Sequence, residues 1–110
     1  MVETLVNWLK SLLQPTTFGQ PRSSQWPKVR SQHLEKWNWC AGCGKRLNLE
    51  VHHIIPVHVD PNKQLEPENL ITLCRPTCHP LLGHLGNWSN YNPHVREDAA
   101  LIFSRVKKTA

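Results

Sequence analysis

All four cysteines and five of the seven histidines of this 110-residue chain fall between Cys40 and His84. Both residue types hold transition metals, and their spacing sorts them into two sets. Cys40-Ala41-Gly42-Cys43 puts two thiols at the spacing where one tight turn presents both sulfurs to a single ion. Its glycines permit that turn. Cys74 and Cys78 form a second pair, thirty residues further on. Four soft ligands from two knuckles suit a closed tetrahedral zinc site, structural rather than catalytic. The alternatives are four free thiols or two disulfides. The second pair has three intervening residues, not two, so its knuckle differs from the first.

Four thiolates fill a zinc, so the histidines form a separate set. His52 and His53 are neighbours on a β-prone run, and neighbours on a strand point to opposite faces. One can hold a metal while the other faces a substrate, as water activation at a metal-bound phosphate needs. His79, next to Cys78 at a helix start, is placed by the knuckle and is a candidate second ligand. So few protein ligands leave positions open for water and phosphate oxygens. His84 follows five residues after His79, and an i, i+5 pair points apart on a straight α-helix. It reaches the same ion only if the helix ends at Gly83. Arg75, inside the second knuckle, is a candidate phosphate contact. His58 reads as an exposed loop residue, His94 as surface, and His33 as a packed helix residue.

These side chains need elements to position them. Val2, Leu5, Val6, Leu9, Leu12 and Leu13 recur at helical spacing and stop before Pro15. Their apolar face suits packing on the domain itself, a membrane surface or a larger protein partner, with packing on the domain favoured. Residues 15–25 read as a linker, so 1–20 form a helical arm and 21–110 the functional domain. Pro27 suits the first turn of a helix reaching about Lys36. Trp26, Trp37 and Trp39 are candidates for stacking on bases, but in so small a domain they are expected in the core. Asn48 to Ile55 reads as a strand, with Val51 and His53 on one face and His52 and Ile54 on the other. A loop with three prolines runs from Pro56 to Glu68, and the return strand follows Asn69. His79 to Leu85 allows about two helical turns with Pro80 in the first. Asn92-Pro93 looks like the cap and first position of a closing helix whose stripe is Val95, Ala99, Ile102 and Val106.

The totals bound the rest. A chain this short is one domain with a modest core, which a metal staple would support. Net charge is +5 with a pI near 9.3, so an acidic partner is plausible, nucleic acid first. The charge is uneven. Arg22 to Arg46 holds six basic residues and one acid, whereas Leu47 to Leu70 holds four acids and one base. That suits a site whose basic arm, not its centre, grips phosphates. Glu3 interrupts the N-terminal apolar run, there is no basic leader, and no stretch is long enough to span a membrane. Thiolates on zinc in a reducing cytoplasm fit this pattern.

CAGC, then EVHHIIP, then ENLITLC and CH resemble the HNH endonucleases, over roughly Trp26 to Asn92. The resemblance implies a small α+β, zinc-stapled fold: a ββα-metal (treble-clef-like) core with flanking helices. It matches His52 and His79 to the family's metal ligands. His53 matches the general base that takes a proton from the attacking water. Asn69 matches the middle asparagine, which fixes the loop between the strands and so orients the base. The activity implied is phosphodiester hydrolysis in DNA, expected to be double-stranded, leaving 5′-phosphate ends. The catalytic cation in such enzymes is Mg2+, Mn2+, Ni2+ or Zn2+, and these ligand types do not choose among them. The family often carries a further ligand four residues after the closing His; here His84 stands at five.

Two other readings compete. A zinc-stapled module that binds nucleic acid without cutting it uses the cysteines and the basic arm equally well. Only His52, His53, Asn69 and His79 separate it from a nuclease. The third is an accessory protein that docks on a larger partner through its N-terminal helix. Oligomeric state is not legible.

Overall fold

The computed structural model describes residues 22–109. The expected N-terminal helix, its linker and the boundary near residue 20 lie outside the described residues.

Helix α1 spans Trp26–Lys36, with Pro27 in its first turn, where a missing N–H costs nothing. The Ser23 carbonyl accepts the Trp26 N–H at 2.9 Å, and the Ser23 hydroxyl accepts the Gln25 N–H at 3.1 Å. The helix stops at Trp37, whose backbone turns to φ −119°, ψ 75°. Trp37 therefore lies beyond the helix and is 44% exposed, unlike the core position expected for it; only Trp26 of the three tryptophans is buried.

Strands β1 (Leu49–His53) and β2 (Leu70–Cys74) form an antiparallel hairpin with His52 opposite Ile71 and His53 opposite Leu70. Facing residues share a face of the sheet. Val51 and His53 thus lie with Leu70 and Thr72, and His52 lies with Ile71 on the other side. β1 is shorter than the sequence suggests at both ends. Asn48 adopts a left-handed φ of 56°. At the other end the Asn69 side chain takes over from the ladder, its Oδ1 accepting the Ile55 N–H at 2.8 Å. Two 3-10 turns, Pro61–Lys63 and Pro67–Asn69, shape the connection.

After β2 comes a single π-helical turn, His79–Gly83, in place of two α-helical turns. Pro80 has no N–H to extend the ladder backwards. Leu85 and Gly86 then turn left-handed (φ 54° and 81°), and the Gly86 N–H closes on the Pro80 carbonyl at 2.8 Å. Helix α2, Val95–Thr109, starts two residues later than the Asn92-Pro93 reading. Asn92 is instead a clasp between the π-turn and α2. Its Nδ2 donates to the Leu82 carbonyl at 3.0 Å and to Asp98 Oδ2 at 2.8 Å, and its Oδ1 accepts the His94 N–H at 2.9 Å.

The hairpin divides the core in two. Trp26, Val51 and Leu70 pack beneath α1; Ile71, Leu73, Val95 and Ala99 pack with the cysteines on the other side. Of the closing stripe, Val95 and Ala99 are buried, whereas Val106 is exposed. Helices around a two-stranded antiparallel sheet, with a cysteine cluster compatible with zinc, make this a small α+β fold. Among the described residues no helix is long and apolar enough to cross a membrane.

Candidate active site and metal centres

The thiols of Cys40, Cys43, Cys74 and Cys78 lie within 4.8 Å of one another. Two turns bring them there. The first is closed by the Gly44 N–H on the Cys40 carbonyl at 2.9 Å and pinned to β2 by the Ala41 N–H on the Thr72 carbonyl at 2.8 Å. Gly42 is closely packed: a Cβ there would sit 2.9 Å from Leu82 Cδ1 and 3.0 Å from Cys78 Sγ. Backbone N–H groups already face the sulfurs, Cys43 N–H to Cys40 Sγ at 3.5 Å and Cys78 N–H to Cys74 Sγ at 3.4 Å.

Cys43 Sγ and Cys74 Sγ are 3.7 Å apart. A disulfide needs about 2.05 Å. A tetrahedron with metal–sulfur bonds of about 2.3 Å has edges of about 3.8 Å, so the spacing fits a shared ion. Burial pushes the Cys43 and Cys78 thiols up. At Cys74 burial also opposes ionisation, but the Cys78 N–H and the neighbouring sulfurs outweigh it and hold the thiol below its usual value. Four thiolates in so small a space need a cation between them.

A second cluster joins His52, His79 and His84, whose ring nitrogens also lie within 4.8 Å of one another. His52 projects from the β1 face that the π-turn covers, and it is 2% exposed. Gly83 makes room for it, since a Cβ there would meet His52 Cε1 at 2.9 Å. His79 Nε2 is 3.0 Å from His52 Nδ1, and His84 Nε2 is 3.3 Å from His79 Nε2. The π-turn ends at Gly83, and its wider winding lets residues five apart face the same side.

The outer nitrogens decide what the inner ones offer. His79 Nδ1 donates its proton to Glu50 Oε1 at 3.2 Å, and His84 Nδ1 donates to the Asn90 carbonyl at 2.8 Å. Where both rings carry their single proton on Nδ1, the two Nε2 atoms present lone pairs to each other. That arrangement is unfavourable without a cation. With metal–nitrogen bonds of about 2.0–2.1 Å, ligand pairs lie roughly 3.0–3.4 Å apart, as here. Burial first, then His79, His84 and His53, lower the His52 pKa to about 3. Burial, outweighing the Glu50 carboxylate, also lowers that of His79. The neutral state they favour is the one that binds metal.

His53 sits on the opposite pleat, 4.3 Å between ring centroids from Trp26. Its Nε2–H donates to the Gln64 carbonyl at 2.9 Å, leaving Nδ1 as the nitrogen able to accept a proton. Burial lowers its pKa, with Arg22 in the same sense, against the Gln64 hydrogen bond. Asn69 is buried and holds that carbonyl's loop. Its Nδ2 donates to the Ile55 and Lys63 carbonyls, both at 3.1 Å. Lys63 immediately precedes Gln64.

His52, His53, His79 and His84 line one cleft of about 460 Å3 with Arg22, His58 and Trp88. His58 is exposed there, and His94 is exposed elsewhere. Arg75 is not in the lining. It stands 73% exposed, its Nε 3.6 Å from Glu50 Oε1. Sequence reasoning passed over Glu50, Gln64 and Asn90. Glu50 alone carried a signal, lying two residues before His52 and hence on the same pleat.

Residues 40–85 match the family model of the HNH endonuclease. No curated protein and no solved structure matches the chain. The matched segment begins at the first of the two cysteine knuckles and contains both clusters, and over this stretch the chain is similar to the HNH endonucleases.

Proposed function

We propose that this protein is a metal-dependent endonuclease that hydrolyses phosphodiester bonds in DNA, with residues 21–110 as the nuclease domain. The observation that carries the reading is the cluster of His52, His79 and His84, whose ring nitrogens lie within 4.8 Å of one another. A pure nucleic-acid binder has no use for it.

In this reading His52, His79 and His84 hold a divalent cation, and Mg2+, Mn2+, Ni2+ and Zn2+ remain candidates. The cation supplies charge stabilisation for the phosphate and the departing 3′ oxygen. His53 takes the proton of the attacking water at Nδ1, the nitrogen not committed to Gln64. Asn69 positions His53 by fixing Lys63 and, through it, the Gln64 carbonyl. Hydrolysis on this course leaves a 5′ phosphate. Cys40, Cys43, Cys74 and Cys78 hold a structural zinc. They are free thiols within reach of one ion, which suits a reducing compartment such as the cytoplasm. Arg75, facing Glu50, is better read as its partner than as a phosphate contact.

The test is nicking of supercoiled plasmid by protein stripped of its weaker metal, with Mn2+, Mg2+ and Ni2+ added back separately. Cutting restored by a metal and stopped by EDTA supports the nuclease. Retardation of the plasmid with no cutting under any metal favours the zinc-stapled binding module.

A further inference from the structure

Trp88 is 54% exposed, yet the turn that carries it is closely braced. Its ring centroid lies 4.6 Å from that of His84 and 5.2 Å from that of His79, at interplanar angles of 49° and 86°. The Asn87 N–H donates to the His84 carbonyl at 3.0 Å, and the Asn90 N–H donates to the Asn87 carbonyl at 2.9 Å. Asn87 Oδ1 accepts both the N–H and the hydroxyl of Ser89, at 3.0 and 2.8 Å. The turn is then locked to the cluster by His84 Nδ1–H on the Asn90 carbonyl.

A large aromatic side chain left half in water gives up much of the stabilisation its burial would bring. Holding it fixed beside two imidazoles that would carry the cation suggests a use for its π face. Trp88 lines the same cleft as Arg22, His58 and the histidine cluster. A phosphate seated at that cluster has its own base only one sugar away, within reach of the indole. Every base offers a π face, so such a contact needs no particular sequence.

We propose that Trp88 is the stacking surface for the base next to the scissile phosphate, and that the preferred substrate is DNA with that base unpaired. The proposal rests on the nuclease reading. In a paired duplex both faces of each base are covered by its neighbours, so Trp88 can be used only where a base is unstacked. Single strands, frayed ends and the locally opened stretches of a supercoiled plasmid qualify. Arg22 supplies charge for the phosphates, and Trp88 adds the part of the affinity that depends on bases.

The test compares two short labelled single strands by fluorescence anisotropy, one with ordinary nucleotides and one made wholly of abasic residues. The full-length protein carries His53→Ala to suppress cleavage, with Mn2+ present, alone or combined with Trp88→Phe, Trp88→Leu or Trp88→Ala. The ordinary strand is expected to bind about ten-fold or more tighter than the abasic one in the parent and in Trp88→Phe. That ratio should fall toward unity in Trp88→Ala and in Trp88→Leu. The leucine variant keeps an apolar cover over the histidines and decides the matter if Trp88→Ala does not fold. Equal binding of the two strands by the parent, or a preference that survives Trp88→Leu, would overturn the proposal. Wild-type plasmid nicking is scored apart. Nicking without base preference removes the stacking role and leaves the nuclease, whereas absent nicking counts against the nuclease itself.

Discussion

The Glu50 carboxylate accepts the Nδ1–H of His79 at 3.2 Å, while Arg75 Nε stands 3.6 Å from the same oxygen. A carboxylate behind a ligating imidazole fixes its tautomer and raises its basicity, and removing such a partner typically costs 10–100-fold in metal affinity. Glu50→Gln should raise the Mn2+ concentration needed for half-maximal cleavage by about that factor while leaving the thiolate-bound zinc in place. Metal titrations of activity beside elemental analysis check both halves. An unchanged titration would mean that Glu50 does not support His79.

Gly83→Ala is expected to damage the histidine centre without touching a ligand. Its Cβ would meet His52 at 2.9 Å, and His52 is too deeply buried to move aside freely. Weaker binding of the cleavage-supporting metal should accompany a modest fall in thermal stability, on the order of 1–3 kcal/mol for overpacking. Wild-type metal affinity in this variant would contradict the close packing of Gly83 beneath the imidazole.

Cys43→Ala should lose the zinc and the fold together. The four cysteines bring the α1–β1 connection against the end of β2, and the small divided core has little to replace an ion held between them. Elemental analysis and thermal unfolding give the readout. A cooperative transition at the wild-type temperature would show the cluster to be dispensable.

Asn69→Ala removes the acceptor for Ile55 N–H and the donor to the Ile55 and Lys63 carbonyls. These partners are half-buried, so each one left unpaired costs less than the roughly 1–3 kcal/mol of a fully buried group, and the Gln64 carbonyl loses its support. Turnover should fall by ten-fold or more at saturating metal, with metal content retained. A variant that lost stability alone, with turnover per folded molecule unchanged, would reduce Asn69 to a structural role.

Much of this site was legible because it follows from short periods. The two-residue pleat of β1 separates His52 from His53, and the knuckle spacing gathers Cys40 with Cys43. The prolines and Asn69 mark where the strands break. His84 was not legible in the same way. Its distance from His79 depends on whether the chain winds as an α- or a π-turn, and five residues do not reveal that choice. Trp37 was misjudged because hydrophobic size says nothing of where α1 stops. Gln64 and Asn90 act through backbone carbonyls, so their side chains carried no signal. The knuckle at Cys74–Cys78, with its extra residue, still brings its sulfurs to the other pair, because the Cys78 N–H folds back on Cys74 Sγ.

In the proposed nuclease His53 is the base, and the metal is held by other residues. The most direct measurement is a time course of supercoiled-plasmid nicking with Mn2+, wild type beside His53→Ala at matched metal content. The expected result is cleavage slowed by about 10²–10⁴-fold, with zinc, histidine-bound metal and thermal unfolding unchanged. Nicking by His53→Ala at the wild-type rate would contradict the account, because proton removal from the water would then lie with another group.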